Sequence, residues 1–166
     1  SNIGSWAQRI AQDWLVLELT NNNGTYLGLV TAVQFAPVLA FSLHGGKLAD
    51  RFNKRKVLIL TNIIGGAASL ALCALVMTDL IALWHVFVLA GILGISTAID
   101  APVRQAFTTE VVGQTDLPNA VSLNSANFNA GRLVGPAISG GLIAAFGTGP
   151  SFIVNGLSYF FVIAAL

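Results

Sequence analysis

The sequence predicts an all-α fold, a polytopic membrane helical bundle, and three observations carry that prediction. Only 9% of the 166 residues are charged and 55% are hydrophobic, whereas a soluble domain carries about a quarter of its residues charged. Stretches free of Lys, Arg, Asp and Glu recur at lengths that cross the roughly 30 Å hydrocarbon layer as helices. Five of the eight Lys and Arg residues lie together between Lys47 and Lys56, with an apolar run on either side. Charged groups cost several kcal/mol in hydrocarbon and short basic loops stay inside the cell, so 46–56 reads as a cytoplasmic loop that orients every other span.

The spans fall at approximately 3–20, 25–45, 57–78, 80–99, 119–146 and 151–166, within one domain. Both ends read as cut, because Ser1 is not an initiator Met, no basic region precedes the first apolar stretch, and Leu166 lies inside another. The expectation is a part of a longer membrane protein without a signal peptide of its own. A net charge of +1, with the basic residues gathered in one loop, leaves no electrostatic footprint for nucleic acid. Cys73 is single and sits in an apolar run, which offers neither a disulfide framework nor a thiolate metal site. No metal and no cofactor are expected. The spans hold no His-x-x-His cluster, Ser-Lys or Cys-His pair, or phosphate-binding Gly loop, which argues against an enzyme.

In the first span Ser5, Gln8, Arg9 and Gln12 share one side at helical spacing, with Asp13 at its margin, while Ile3, Ile10 and Leu17 take the opposite side. A charged stripe in a spanning helix has to face protein or water, so this helix is expected to line a cavity or polar interface. The alternative is an amphipathic helix lying flat at the interface. Asn21-Asn22-Asn23-Gly24 reads as a turn. In the second span Gly24, Gly28, Ala32, Ala36 and Ala40 recur every fourth residue, a smooth ridge on which another helix can pack closely. Pro37 is expected to bend this helix, which a packed bundle tolerates. His44 reads as an interfacial residue.

The third span has no polar stripe beyond Thr61, Asn62 and Ser69, and is expected to face lipid. Asp79 marks a short outer turn. The fourth carries Ala90, Gly94 and Ala98 at four-residue spacing, with Trp84 and His85 at the outer interface. Asp100 to Leu117 holds Asp100, Arg104, Glu110 and Asp116 as well as Pro102, and is expected to be a polar cytoplasmic connection. Asp100 and Arg104 can pair there as a solvated couple worth a few tenths of a kcal/mol.

The span 119–146 is the most informative. Ser122, Ser125, Asn129 and Arg132 step along one side, and Gly131, Gly135 and Ser139 along another. Arg132 lies roughly 20 Å of helix past Asn119, near mid-membrane, where an Arg is a functional candidate. Its partner is Asp13, or backbone carbonyls and water. The residues alone do not separate a moving charge from a buried structural ion pair. The sixth span is uncharged, like the third.

Two motifs bring a family into view. Gly46-x-Leu48-x-Asp50-Arg51-Phe52-x-x-Arg55-Lys56 resembles the loop between the second and third helices of the major facilitator superfamily. Asn53 stands where that family usually has Gly, and is expected to supply the same left-handed backbone. Gly131-x-x-x-Gly135-Pro136-x-x-Ser139-Gly140-Gly141 resembles the fifth-helix motif of proton-linked exporters, with Ser139 where Gly is frequent. In the fourth helix Phe87 stands near the place of a family Arg. Ala11-Gln12-Asp13-Trp14, Pro102-Val103-Arg104-Gln105-Ala106-Phe107 and Asn119-Ala120-Val121-Ser122-Leu123-Asn124 are similar to the bacterial branch containing the enterobactin exporter and related permeases.

The resemblance implies the amino-terminal six-helix half of that fold, built as two inverted three-helix repeats. It implies that the first and fourth helices line a cavity, the second and fifth meet a carboxy-terminal six-helix half, and the third and sixth face lipid. The implied function is alternating-access export of a small organic molecule, siderophore or drug-like, against protons across the bacterial inner membrane. Asp13 would carry the proton with Arg9 and Arg132 tuning it, and Gln12 and Asn129 would lie along the same pathway. Gly46, Leu48, Asp50, Arg51, Arg55 and Lys56 would form the cytoplasmic gate. The rival is a non-transporting membrane scaffold or receptor derived from the same fold.

Overall fold

The computed structural model describes residues 2–41 and 52–166, the side chain of Gln114 excepted, and these residues are helical nearly throughout. Helix α1 is Asn2–Leu19, α2 is Gly24–Phe41 and α3 is Lys54–Met77. One helical run, Leu83–Phe146, is broken at Gly113, dividing it into α4, Leu83–Gly113, and α5, 114–146. Helix α6 is Gly149–Ala165. Gly24–Phe41, Lys54–Met77 and Leu83–Gly113 are each long and apolar enough to cross a membrane.

Local chemistry accounts for the breaks. Asn21 and Asn22, with φ of 51° and 63°, and Asp79, with φ of 55°, take the left-handed backbone at the two expected turns. Asn and Asp accept that conformation because their short side chains bond locally. Gly113 has φ 74° and ψ 175°, a pairing that is open to glycine and closed to residues with a Cβ. The polar stretch 100–117, expected as a connection, is helical on both sides of this glycine. The Asp100–Arg104 pair spans one turn, and Thr108 and Thr109 each donate to the carbonyl four residues back. Polarity there is absorbed by the helix itself.

Asn53 corrects a second expectation. Its φ of −64° and ψ of 108° are extended, and its side-chain oxygen accepts from the Lys56 amide at 3.1 Å. The residue is an N-cap, satisfying a donor that the first turn of α3 leaves open, and needs no left-handed backbone.

The helices alternate in direction. Lys54 at the start of α3 bonds Glu110 near the end of α4 at 2.5 Å. At the other end a cleft of about 490 Å³ gathers Glu18, Met77, Phe146 and Gly149 from α1, α3, α5 and α6. Packing couples α1 with α5 and α6, α3 with α4 and α6, and α2 with α4. That pattern survives the exchange of α1 with α4, α2 with α5 and α3 with α6, as two repeated three-helix units require. The close crossings also correspond. In one, a Cβ on Gly131 or Gly135 of α5 would meet the backbone of α1; in the other, a Cβ on Gly94 of α4 would meet the backbone of α2.

The buried apolar cluster draws on Ala11, Leu15 and Val16, Val30, Leu72, Val86, Leu93 and Phe152. A smaller one at the basic end holds Leu58 and Val103. Outside lies more apolar surface. Helix α3 exposes Leu60, Ile63, Ile64, Leu70 and Met77, and α6 exposes Ile153, Leu157, Phe160 and Phe161. The same helices bury Thr61, Asn62, Ser69, Ser151 and Asn155. Polar inside and apolar outside is the arrangement hydrocarbon solvent selects.

Candidate functional site

The polar stripe of α1 divides between two environments. Its inner members make a buried network. Asn155 of α6, 1% exposed, donates to the Gln8 side chain at 2.6 Å and the Ser69 hydroxyl at 3.3 Å. It accepts from Ser5 and Ser158 at 3.4 and 3.1 Å. Gly4 and Gly65 let the helices approach, since a Cβ on Gly4 would strike Ser158 and Asn155 and one on Gly65 would strike Tyr159. One turn further along α1, Gln12 donates to Gln34 of α2 at 3.3 Å. Intramembrane side-chain bonds average about 0.6 kcal/mol and reach about 1.7. With several lost together and Gln8 left unpaired, Asn155→Leu is expected to destabilise the protein by about 2 kcal/mol. Thermal unfolding of the purified full-length protein reads this directly, with Ser158→Ala as the near-neutral comparison.

Arg9 belongs instead to a cluster around Trp6. The guanidinium carbon of Arg9 lies 5.3 Å from the Trp6 ring centroid and 4.5 Å from that of Phe35 on α2. That of Arg132 on α5 lies 5.9 Å from the same Trp6 ring. Phe128, one turn before Arg132, packs edge-on against Trp6 with centroids 5.9 Å apart. The arrangement exists because Gly131 and Gly135 bring α5 against Asn2, Ile3, Trp6 and Ala7 of α1. Arg9 stands ten residues before Leu19, about 15 Å of helix from that end.

Among the other sequence-predicted residues, Asp13 is half-buried one turn from Arg9, and Asn129 is exposed on α5. Asp13 and Arg132 make no ion pair; the ion pairs among the described residues are Lys54–Glu110 and Arg104–Asp100. Gly131, Gly135 and Ser139 are buried, Pro136 is half-buried, and Gly140 and Gly141 have open space beside them. Arg55 and Lys56 are exposed at the first turn of α3, while Gly46, Leu48, Asp50 and Arg51 lie outside the described residues. Trp6, Phe35, Gln34 and Asn155 were not anticipated. A signal for Asn155 was present, as an amide in an otherwise uncharged apolar helix has to find a partner inside the bundle.

Asp100 also has a larger role than a solvated pair. Its carboxylate accepts from Thr61 at 2.9 Å and Asn62 at 3.0 Å, both on α3, and from Arg104 at 2.8 and 3.0 Å. The helix pair α3–α4 is joined there, not only the turn of α4.

Apolar exteriors, buried amides and three helices long and apolar enough to cross a membrane define a multi-pass membrane protein. The chain matches the transmembrane secretion effector family along residues 1–166, and it belongs to the major facilitator superfamily. It is 30% identical over 162 residues to the staphyloferrin A transporter of Staphylococcus aureus, covering 97% of this chain and 41% of that protein. It is 27% identical over 160 residues to the uncharacterized MFS-type transporter YfiS of Bacillus subtilis, covering 96% and 37%. It is 29% identical over 145 residues to the multidrug efflux pump Tap of Mycolicibacterium fortuitum, covering 83% and 35%. The chain thus spans about two fifths of the length of these relatives.

Proposed function

We propose that this chain is the amino-terminal half of an exporter that moves a small organic molecule across the bacterial inner membrane by alternating access, driven by proton entry. The observation that carries this reading is the convergence on Trp6 of Arg9 and Arg132, each well inside its helix, with Asp13 one turn from Arg9. Charges so placed are expensive in hydrocarbon and persist where they serve a pathway. Relatives named as a staphyloferrin A transporter and as a multidrug efflux pump support the substrate class.

In this mechanism Asp13 takes a proton from the outer side and releases it inside, while Arg9 supplies the positive charge against which the carboxylate forms. Gln12 and Asn129 line the same route, and no bond in the cargo is made or broken, so the protein is a carrier and not an enzyme. The carboxy-terminal six-helix half covers the exposed ridge of Gly28, Ala32, Ala36 and Ala40 on α2 and closes the cavity. The loop 46–56 lies in the cytoplasm, and Asp50 and Arg51 hold its gate with Arg55 and Lys56.

The test is Asp13→Asn in the full-length protein reconstituted in liposomes. Export driven by a proton gradient is expected to fall to background while gradient-independent exchange of cargo persists. Retention of gradient-driven export would remove Asp13 from the coupling step.

A further inference from the structure

We infer that Arg9, Arg132 and the rings of Trp6, Phe35 and Phe128 recognise an organic anion that carries a flat apolar group. The inference rests on the transport reading above and names the cargo class of the same site. Both guanidiniums lie against aromatic faces, and neither donates a hydrogen bond or forms an ion pair among the described residues. A guanidinium that rests over aromatic rings and donates no hydrogen bond there keeps its N–H groups for a planar, bidentate acceptor, which is the geometry of a carboxylate.

The charges around the cluster agree. Helix α2 contributes none from Gly24 to Phe41. Helix α5 contributes Arg132 and, near its start, Asp116; α1 contributes Arg9, Asp13 and Glu18. Glu18 is at the far end of α1, taking the Trp14 indole N–H at 2.7 Å. Asp13, one turn from Arg9, is thus the one acid of these three helices, apart from Glu18 and Asp116 at their ends, and two cations against it leave the site positive with Asp13 ionised or protonated. A cation without an ion-pair partner inside a membrane bundle is costly, so an incoming anion gains what the described residues leave unsatisfied. Phe35 and Phe128, 38% and 47% exposed, offer apolar walls beside that charge.

The experiment uses the full-length protein in nanodiscs and three probes on one ring system: 2-naphthoate, its isostere 2-naphthamide, and the cationic 2-naphthylmethylammonium. Binding is followed with tritiated naphthoate and competition by the other two. Naphthoate is expected to bind about tenfold or more tighter than the amide, as two charge-assisted bonds imply, and the ammonium is not expected to compete. Arg9→Gln and Arg132→Gln are each expected to erase the preference, and Arg9→Lys and Arg132→Lys to restore part of it, which separates recognition from a folding defect. Equal binding of acid and amide, preference for the ammonium, or unchanged binding in both Gln variants overturns the anion site. The last result would assign the two cations to acids of the carboxy-terminal half. Naphthoate binding lost in the Gln variants but accompanied by no uptake into liposomes upholds the site and sinks the transport reading instead.

Discussion

Gly94→Leu is expected to prevent recovery of folded full-length protein, and Gly94→Ala to lower its thermal midpoint by several degrees. A Cβ at this position would stand 2.3 Å from the Gln34 carbonyl oxygen, 3.0 Å from its carbon and 3.2 Å from its Cα. All three are backbone atoms of α2, so no side-chain rotation relieves the clash and the helices have to separate. Overpacking costs about 1–3 kcal/mol where side chains can move; a backbone obstacle puts the alanine variant at the upper end. The displaced residue is Gln34, which accepts from Gln12 and directly precedes Phe35 beneath Arg9, so cargo binding falls with stability. Gly91→Ala on the same helix is the control, because its Cβ would meet only the Val33 side chain at an ordinary 3.5 Å. Equal midpoints for Gly94→Ala and wild type would show that α2 and α4 do not cross this closely.

Asp100→Ala is expected to cost about 2–3 kcal/mol, since it leaves donors from two helices without their acceptor. Thr61 and Asn62 keep their bonds to the Leu58 carbonyl but lose the tie to α4, and Arg104 loses both of its bonds. Arg104→Ala is expected to cost about 1 kcal/mol, because its side chain is 36% exposed and a partly solvated pair contributes little. Asp100→Asn falls between, keeping an acceptor for α3 while turning an amide nitrogen toward Arg104. Chemical denaturation of the three variants ranks them. A cost for Asp100→Ala no greater than that for Arg104→Ala would return the carboxylate to a local role within α4.

The membrane class, the six helices among the described residues and the turns at Asn21–Asn22 and Asp79 were legible because each follows from composition or from one residue's backbone preference. The four-residue spacing of Gly131, Gly135 and Ser139 correctly marked a smooth face. Spacing does not say which neighbour fills it, and here the neighbours are α1, against the two glycines, and α6, through the Ser139–Ser151 contact at 3.1 Å. The ridge on α2 has the same spacing and lies exposed. Asn53 misled because one motif position was read for the backbone of the glycine it replaces; an amide ahead of a helix caps it more readily than it turns left-handed. Polar residues in 100–117 did not show that this connection is helical on both sides of Gly113, because helical i,i+4 bonding can satisfy polarity as well as water can.

Hydropathy and charge placement determine by themselves that this chain enters a membrane as a bundle of helices, since transfer free energy depends on residue type and run length alone. Whether a polar side chain ends in a buried amide network, like Gln8, or beside a shared indole, like Arg9, was decided only by the tertiary structure. The reason is geometric: the two residues are adjacent in sequence and differ by about 100° around α1, and the identity of the helix each one meets is a property of packing.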